Sequence, residues 1–544
     1  MKNCLILTLG HGSSATLITN GIIAAGYQLE RITGVKGDSR FPSRCVEEIE
    51  NFLSIPDDIP IFVSHWHPSG DVDCMTEKHW NREWLNKKFP NSPIYSTDQG
   101  FTHHDTHAWS AIAYNTNIRE GNHIFVADGF GTLGEVISIY KYTDHKPLLI
   151  KRIYGFDSSM GLLYQFATDY VGWRQNQDEW KLNACSNEVY EDDVPNLEAV
   201  AQRIYATYLA RQNHPRSLGD DDDPITNIGA LSHAHHQVVE LIGKEFGPDE
   251  VANIAYVLQR AIQKLVEYWL DRFDICNCTF VGGCFLNVQL NGHLAKILDE
   301  SCFMPLSGDE GAGLGFYMSK NPEWYIQEDL CVGLRDLSDA VGWETDNFRV
   351  IDSGLQDLVI ELLEEDKIVN VVRGTMEFGP RAYCNTSTIA RPTEENRHYI
   401  NMLNNRNEHM PMCPVMTSPQ YNEDLDTSVE LVRSIQHMIV TLEWDRPVPE
   451  EMRGVSYDNM DGKSTVRPQV VYSDHWIHPV LEHFGPLINT SFNPHGMPIV
   501  YNTRQIAHAH NYQHNFDIDG RMVTIVDVSE SYTSVSNEPS QLVI

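Results

Sequence analysis

The chain has 544 residues, too many for one ordinary hydrophobic core, so at least two domains are expected. Its 75 acidic against 40 basic side chains leave a formal charge of -35, which repels polyanions at long range and opposes non-specific nucleic-acid binding. No apolar run approaches the ~18 to 20 residues needed to cross a bilayer, and 11 scattered cysteines suggest reduced thiols rather than a disulfide framework.

Taken in chain order, the apolar start at residues 4–9 is too short for a signal-peptide core and runs into Gly10, His11 and Gly12, so it reads as a first buried strand of a cytoplasmic protein. Residues 5–9, 15–19 and 22–27 form a predicted β-meander, with Asn20-Gly21 supplying the positive φ angles of a tight hairpin. His103-His104-Asp105-Thr106-His107 follows, and on a helix His103 and His107 stand one turn apart, about 5–6 Å between Cβ atoms, so two imidazoles can share one metal. No glutamate lies between them, which excludes the zincin arrangement. Carboxylates must come from elsewhere. Strand-like segments at 61–64, 123–127 and 136–140 complete an α/β pattern, and the second of these ends in Val126-Ala127-Asp128-Gly129. The acidic run 220–223 reads as a solvated loop that could also hold a cation. Apolar residues recur at helical spacing over 251–273, and Cys276 and Cys278 read as strand-side residues.

Phe280-Val281-Gly282-Gly283-Cys284-Phe285-Leu286-Asn287 is a strand entering glycines and then a helix, a place where backbone N–H groups can approach a phosphate or sugar. It has neither Rossmann nor Walker spacing. Ser307-Gly308-Asp309-Glu310-Gly311 puts a second aspartate in a glycine loop ahead of a helix. Each aspartate alone would equally suit an N-cap or a turn; together with the histidines they make a His2Asp2 shell fit for iron, manganese or zinc. A new unit opens after about residue 349, with a helix near 355–365, a strand at 368–372 and further strand-helix elements. The boundary is placed within 340–352, and the stretch 529–541 is polar enough to be a loose tail.

In this order and spacing the pieces resemble the O-carbamoyltransferases of antibiotic and nodulation-factor biosynthesis, whose N-terminal domain is similar to the universal tRNA threonylcarbamoyl-transferase. The marks are GHGSSATL from Gly10, LERITGVK from Leu29, HHDTHA from His103, VADG from Val126, SMGLLYQFATDYVG from Ser159, VGGCFLN from Val281, GDEG from Gly308, MEFGPRA from Met376 and INTSFNPHGMPIV from Ile488. MEFGPRA and NTSFN are the most specific of them.

The resemblance implies an α/β fold: a duplicated actin-like domain over residues 1–345, then a YrdC-like α/β domain over 346–544. It implies that His103, His107, Asp128 and Asp309 hold a divalent metal, Fe(II) first with Mn or Zn as alternatives. Gly282, Gly283 and Asn287 would cradle an adenylate, with Glu179 and Lys181 as an acidic-basic pair facing it. His11 and Lys36 would stand at the transferred carbamoyl group. Arg381, Arg406, Arg467, Asn489, Ser491 and Asn493 would handle carbamoyl phosphate and ATP, the latter with Mg. The implied activity is formation of carbamoyl-AMP and transfer of its carbamoyl group to a hydroxyl of a small molecule, sugar, hydroxymethylpyrimidine nucleotide or DNA base. A metal-dependent hydrolase or phosphatase and a non-catalytic nucleotide-binding relative are the alternatives. No membrane partner is expected, and a homodimer is the default assembly.

Several positions depart from the family pattern. Thr375, Thr386, Asn405, Asn407 and His495 stand at basic positions, Gly12 and Asn253 at aspartate positions, Trp180 at a glycine, and Met410 to Pro414 is a shortened loop. Arg373, Arg391 and Arg406 lie near the missing cations and are the candidates to replace them.

Overall fold

A computed structural model of the chain describes residues 2–67, 69–97, 100–213, 228–327, 329–408, 410–428, 431 and 433–532. The acidic run at 220–223 and the end of the polar tail lie outside them. The N-terminal meander forms as the alternation suggests: β1 (Cys4–Thr8), β2 (Ser14–Thr19) and β3 (Ile22–Gln28) pair antiparallel, with Asn20 at φ 55° and Gly21 at φ 84° in the turn. β4 (Ile61–Ser64) then pairs parallel to β1, and β5 (Ile94–Ser96) parallel to β4, giving the order β3-β2-β1-β4-β5.

The same plan is then repeated. β6 (His123–Ala127), β7 (Glu135–Thr143) and β8 (Lys146–Tyr154) form a second antiparallel meander, while β9 (Asn277–Val281) and β10 (Glu300–Phe303) join parallel on the other side of β6. The resulting order, β8-β7-β6-β9-β10, matches the first sheet strand for strand and sense for sense. This is a duplicated, actin-like arrangement. β8 escapes sequence reading because Leu148, Leu149 and Ile150 are all exposed, at 59, 43 and 38 %, so the strand lacks the alternation that betrays a half-buried edge. Cys278 lies buried in β9, whereas Cys276 lies just outside it and is exposed.

Two helices lie between the sheets: α1 (His103–Tyr114) and a later one, Ala312–Lys320. They share a core in which Ile6 and Phe62 from one sheet meet Ile124 and Val281 from the other, with Ala108, Ile112 and Leu314 between them. The helices approach closely because Gly315 has no side chain; a Cβ there would sit 1.9 Å from the Thr106 carbonyl oxygen. The 251–273 periodicity is realised as a helix over Val251–Arg272, packed in the core on the outer side of the second sheet.

The remainder is an α/β unit built on a seven-stranded mixed sheet. Its strands are β11 (Phe348–Ile351), β12 (Ile368–Arg373), β13 (Thr386–Ala390), β14 (Cys413–Thr417), β15 (Gln469–Val471), β16 (Leu487–Ser491) and β17 (Met522–Asp527). They run in the order β11-β17-β12-β13-β16-β14-β15. The expected helix near 355–365 is Leu355–Glu364, closing over Val359 and Leu363 against this sheet.

Gly315→Val should force the two inner helices apart and lower unfolding free energy by about 1–3 kcal/mol, the usual cost of overpacking a filled core. A urea midpoint unchanged from wild type would show that the contact tolerates a side chain.

Candidate metal centre and the cavity beside it

Three separate stretches of chain bring four ligand-type side chains together. A capping box fixes the start of α1: Thr102 Oγ1 accepts from the Asp105 N–H at 3.3 Å, and Asp105 Oδ2 accepts from the Thr102 N–H at 2.8 Å. His103 and His107 then project from one face. Asp128 follows β6, and its Oδ1 accepts from the backbone N–H groups of Gly129 at 2.8 Å and Gly283 at 3.2 Å, which turns Oδ2 toward the histidines. Asp309 arrives from the glycine loop ahead of the Ala312–Lys320 helix.

His103 Nε2 lies 3.1 Å from His107 Nε2, 3.2 Å from Asp128 Oδ2 and 3.2 Å from Asp309 Oδ1. His107 Nε2 lies 3.5 Å and 3.7 Å from the same two oxygens. Donors held ~2.0–2.1 Å from a tetrahedral ion stand roughly 3.3 Å apart, so this spacing is that of a shell around one cation. Both imidazoles are buried. Burial opposes charge on His103, yet Asp309 and Asp128 prevail and hold it up at about 10, while His107 is raised by the same carboxylates. Conversely, burial pushes Asp128 and Asp309 up, and the two histidines bring both below the usual carboxylate range. Such a site demands positive charge at its centre, which a divalent ion supplies.

The middle of the HHDTH segment serves the support of this centre. His104 donates its N–H to Glu135 Oε1 at 2.7 Å, and its Nδ1 lies 2.9 Å from Ser138 Oγ. Asp105 Oδ1 accepts from the Tyr140 hydroxyl at 2.7 Å and from Arg152 at 2.6 Å, and Arg152 also lies 3.2 Å from Glu135. Burial raises the Glu135 carboxyl to about 7. Tyr140 is absent from the sequence-level candidates because its strand is recognised only by its apolar positions, Glu135 because it lies just ahead of the predicted segment 136–140, and Arg152 because β8 escapes sequence reading.

A cavity of about 1020 Å³ opens beside the metal centre and runs on into the C-terminal unit. His11, Lys36, Asp128, Glu179, Gly283, Asn287 and Asp309 line it from one side; Arg381, Arg406, Arg467, Asn489, Ser491 and Asn493 line it from the other. His103 and His107 stand behind their aspartates. The cations here are held by neutral groups. Arg406 donates to Thr490 Oγ1 at 2.9 Å, Arg467 Nε to Cys413 Sγ at 2.8 Å, and Arg381 Nε is buried with no partner among the described residues. Burial brings the guanidinium groups of Arg381 and Arg406 down to about 10, and the nearby Arg467 adds to this for Arg381. Burial also lowers Lys36. In a chain of charge -35 the C-terminal side of this chamber is locally cationic through Arg381, Arg406 and Arg467, suited to ligands carrying several negative charges.

Some expected binders do other work. Lys181 does not line this cavity: its ammonium pairs with Asp178 at 2.9 Å and lies beneath the Trp173 and Trp180 rings. Gly282 lies outside the lining as well, and is needed because at φ 102° a Cβ would sit 2.3 Å from the Ala127 carbonyl oxygen. The Gly283 N–H is engaged by Asp128, so the glycine pair orients a metal-site carboxylate. Asn287 caps the next helix through Leu290 N–H at 3.0 Å and donates to Gln259 at 2.7 Å. Of the three arginines placed to replace missing cations, only Arg406 lines the cavity; Arg373 pairs with Glu530 at 2.6 Å and Arg391 stacks on Phe484. Glu310, beside Asp309, is a lining carboxyl that the sequence reading passed over; burial raises it to about 7.

Comparison with known proteins yields two family matches: the carbamoyltransferase N-terminus over residues 82–317 and the carbamoyltransferase C-terminus over 360–524. An uncharacterised protein of Methanocaldococcus jannaschii is 27 % identical over 530 residues, covering 91 % of this chain and 94 % of that one. Nodulation protein NolNO of Sinorhizobium fredii is 25 % identical over 568 residues, covering 95 % and 78 %. A 3'-hydroxymethylcephem-O-carbamoyltransferase of Amycolatopsis lactamdurans is 25 % identical over 240 residues, 40 % of this chain and 42 % of that one.

Two outcomes test the centre. Purified chain should carry about one divalent ion by elemental analysis, and His107→Ala or Asp309→Ala should remove it, since loss of one ligand typically weakens such a site beyond retention; full occupancy in both variants would refute the assignment. Stability should also depend on pH. The folded pKa of His103, about 10, lies above its ordinary 6.5, so in metal-free chain the protonated ring's contribution is complete below pH 6.5 and lost as pH climbs through about 10. Metal-loaded chain should show no such decline, because the ion replaces the proton; parallel melting curves for the two forms from pH 6.5 to 10 would contradict this.

Proposed function

Since the chain belongs to the carbamoyltransferase family, we propose that it is an ATP-dependent O-carbamoyltransferase working in two steps within the single cavity. The observation that carries this is the continuity of that cavity, which joins guanidinium groups of the C-terminal unit that have no carboxylate partner among the described residues to the His2Asp2 centre of the N-terminal one. We assign residues 1–345 to transfer and 346–544 to activation.

In the first step carbamoyl phosphate loses its phosphate to water, and the carbamate oxygen attacks the α-phosphorus of ATP, releasing pyrophosphate and leaving carbamoyl-AMP. Arg381, Arg406 and Arg467 offset the charge of the phosphates, and the Asn489, Ser491, Asn493 loop lies against them. In the second step an acceptor hydroxyl attacks the carbamoyl carbon, the carbamate ester forms, and the bond to AMP breaks. His11 takes the hydroxyl proton and the Lys36 ammonium faces the oxygen on which charge develops. His103, His107, Asp128 and Asp309 would hold a divalent ion, Fe(II) in the first instance, which when bound would supply Lewis acidity. The enclosure limits access of water to the mixed anhydride.

The acceptor we favour is a small-molecule or nucleotide hydroxyl. A chamber of about 1020 Å³ in a protein of charge -35 suits such a ligand better than duplex DNA, although a hydroxymethylated base presented singly has the same chemistry.

Carbamoyl phosphate should drive exchange of labelled pyrophosphate into ATP without any acceptor. Arg381→Ala should reduce kcat/KM for this exchange roughly tenfold to a hundredfold, the worth of one charge-assisted hydrogen bond to a phosphate. His107→Ala should leave exchange intact while abolishing carbamoyl transfer. Turnover of simple phosphate esters with metal alone, and none with carbamoyl phosphate and ATP, would instead mark a hydrolase.

A further inference from the structure

Trp180 and His495 stand at positions where this chain departs from its family pattern, and the fold brings them together. Trp180 belongs to the short helix Glu179–Ala184 of the N-terminal unit, and His495 to the loop following β16 in the C-terminal unit. Their rings meet edge to face across the cavity, centroids 6.3 Å apart and planes at 60°. Each is held from its own side. The Trp180 indole N–H donates to the Gln177 carbonyl at 2.8 Å, and the Lys181 ammonium, tethered to Asp178, lies 5.9 Å from the ring. The His495 N–H donates to the Asn404 carbonyl at 2.9 Å, and Asn493 Nδ2 braces the loop through the Met497 carbonyl at 2.7 Å.

The contact lies where the two groups of cavity residues approach each other. Lys36, a transfer-side residue, lies 6.0 Å from the Trp180 ring, and its charge is disfavoured by Arg406 from the activation side. His495 is close to Lys181, Lys36 and Arg406 together; burial and those cations bring it down to about 4, so its ring is neutral and can sit among them without repulsion. Trp180 keeps 40 % of its surface uncovered and belongs to none of the hydrophobic clusters among the described residues, so the pair can part without disturbing a core.

We propose that Trp180 and His495 form a latch between the two sides of the cavity, keeping carbamoyl-AMP between the two sites and out of bulk water until an acceptor arrives. This rests on the two-step reading above. Both are positioning residues: neither contributes to activating ATP or to the attack on the carbamoyl carbon.

The test needs no acceptor. Wild-type chain given ATP and carbamoyl phosphate should release a burst of about one pyrophosphate per chain and then form AMP only slowly, because the AMP stays within the sheltered carbamoyl-AMP. Trp180→Ala and His495→Ala should convert this into continuous AMP formation, on the order of tenfold faster, as the intermediate escapes and hydrolyses. Carbamoyl-phosphate-dependent pyrophosphate exchange should be unchanged in both, and Trp180→Phe and His495→Gln should restore the burst. Identical acceptor-free AMP release in wild type and both alanine variants would overturn the latch while leaving the two-step reading in place. Loss of exchange in the alanine variants would also overturn it, by showing that the pair supports the activating site. Absence of exchange in wild type would remove both readings.

Discussion

Two imidazole nitrogens 3.1 Å apart, with two carboxylate oxygens against them in a buried space, can coexist only around positive charge. Much of the N-terminal unit serves to impose that meeting. The capping box sets the phase of α1, the Gly129 and Gly283 N–H groups aim Asp128, and the Glu135, Arg152 and Tyr140 cluster secures the motif from behind. Gly315 lets the Asp309-bearing segment approach the histidine helix. Each device is modest alone, and their agreement makes the centre rigid.

Charge is distributed with the same economy. The protein as a whole is strongly acidic, yet the C-terminal side of the cavity holds Arg381, Arg406 and Arg467 with neutral partners only, hydroxyl, carbonyl and amide oxygens for Arg406 and a thiol for Arg467. Guanidinium groups left without carboxylates are costly in the free protein and stabilised when a phosphate enters, so binding and relief of that cost coincide. The loss of basic residues at Thr375, Thr386, Asn405, Asn407 and His495 is therefore only partly offset, since Arg406 alone of the neighbouring arginines reaches the chamber.

A duplicated domain explains why the site spans so much of the sequence. The Asp128 loop leaves the C-terminal end of β6, the central strand of the second sheet, beside the glycines that follow β9, which is where open α/β sheets present ligand-binding loops. His11 occupies the matching place after β1 in the first sheet. The two halves thus face each other across one opening, and the C-terminal unit closes its far side.

From sequence alone came the α/β class, the meander with its Asn20-Gly21 turn, the helical phase of His103 and His107, and the four metal-type residues, because these follow from local periodicity, turn chemistry and motifs that do not depend on distant packing. Tertiary structure decided what each polar atom does. Lys181 turns to Asp178, Gly283 serves Asp128, Asn287 caps a helix, and Arg373 and Arg391 find partners outside the chamber, because a side chain takes whichever partner the fold places within reach. The meeting of Trp180 with His495, 315 residues apart in sequence, belongs wholly to that second kind of fact.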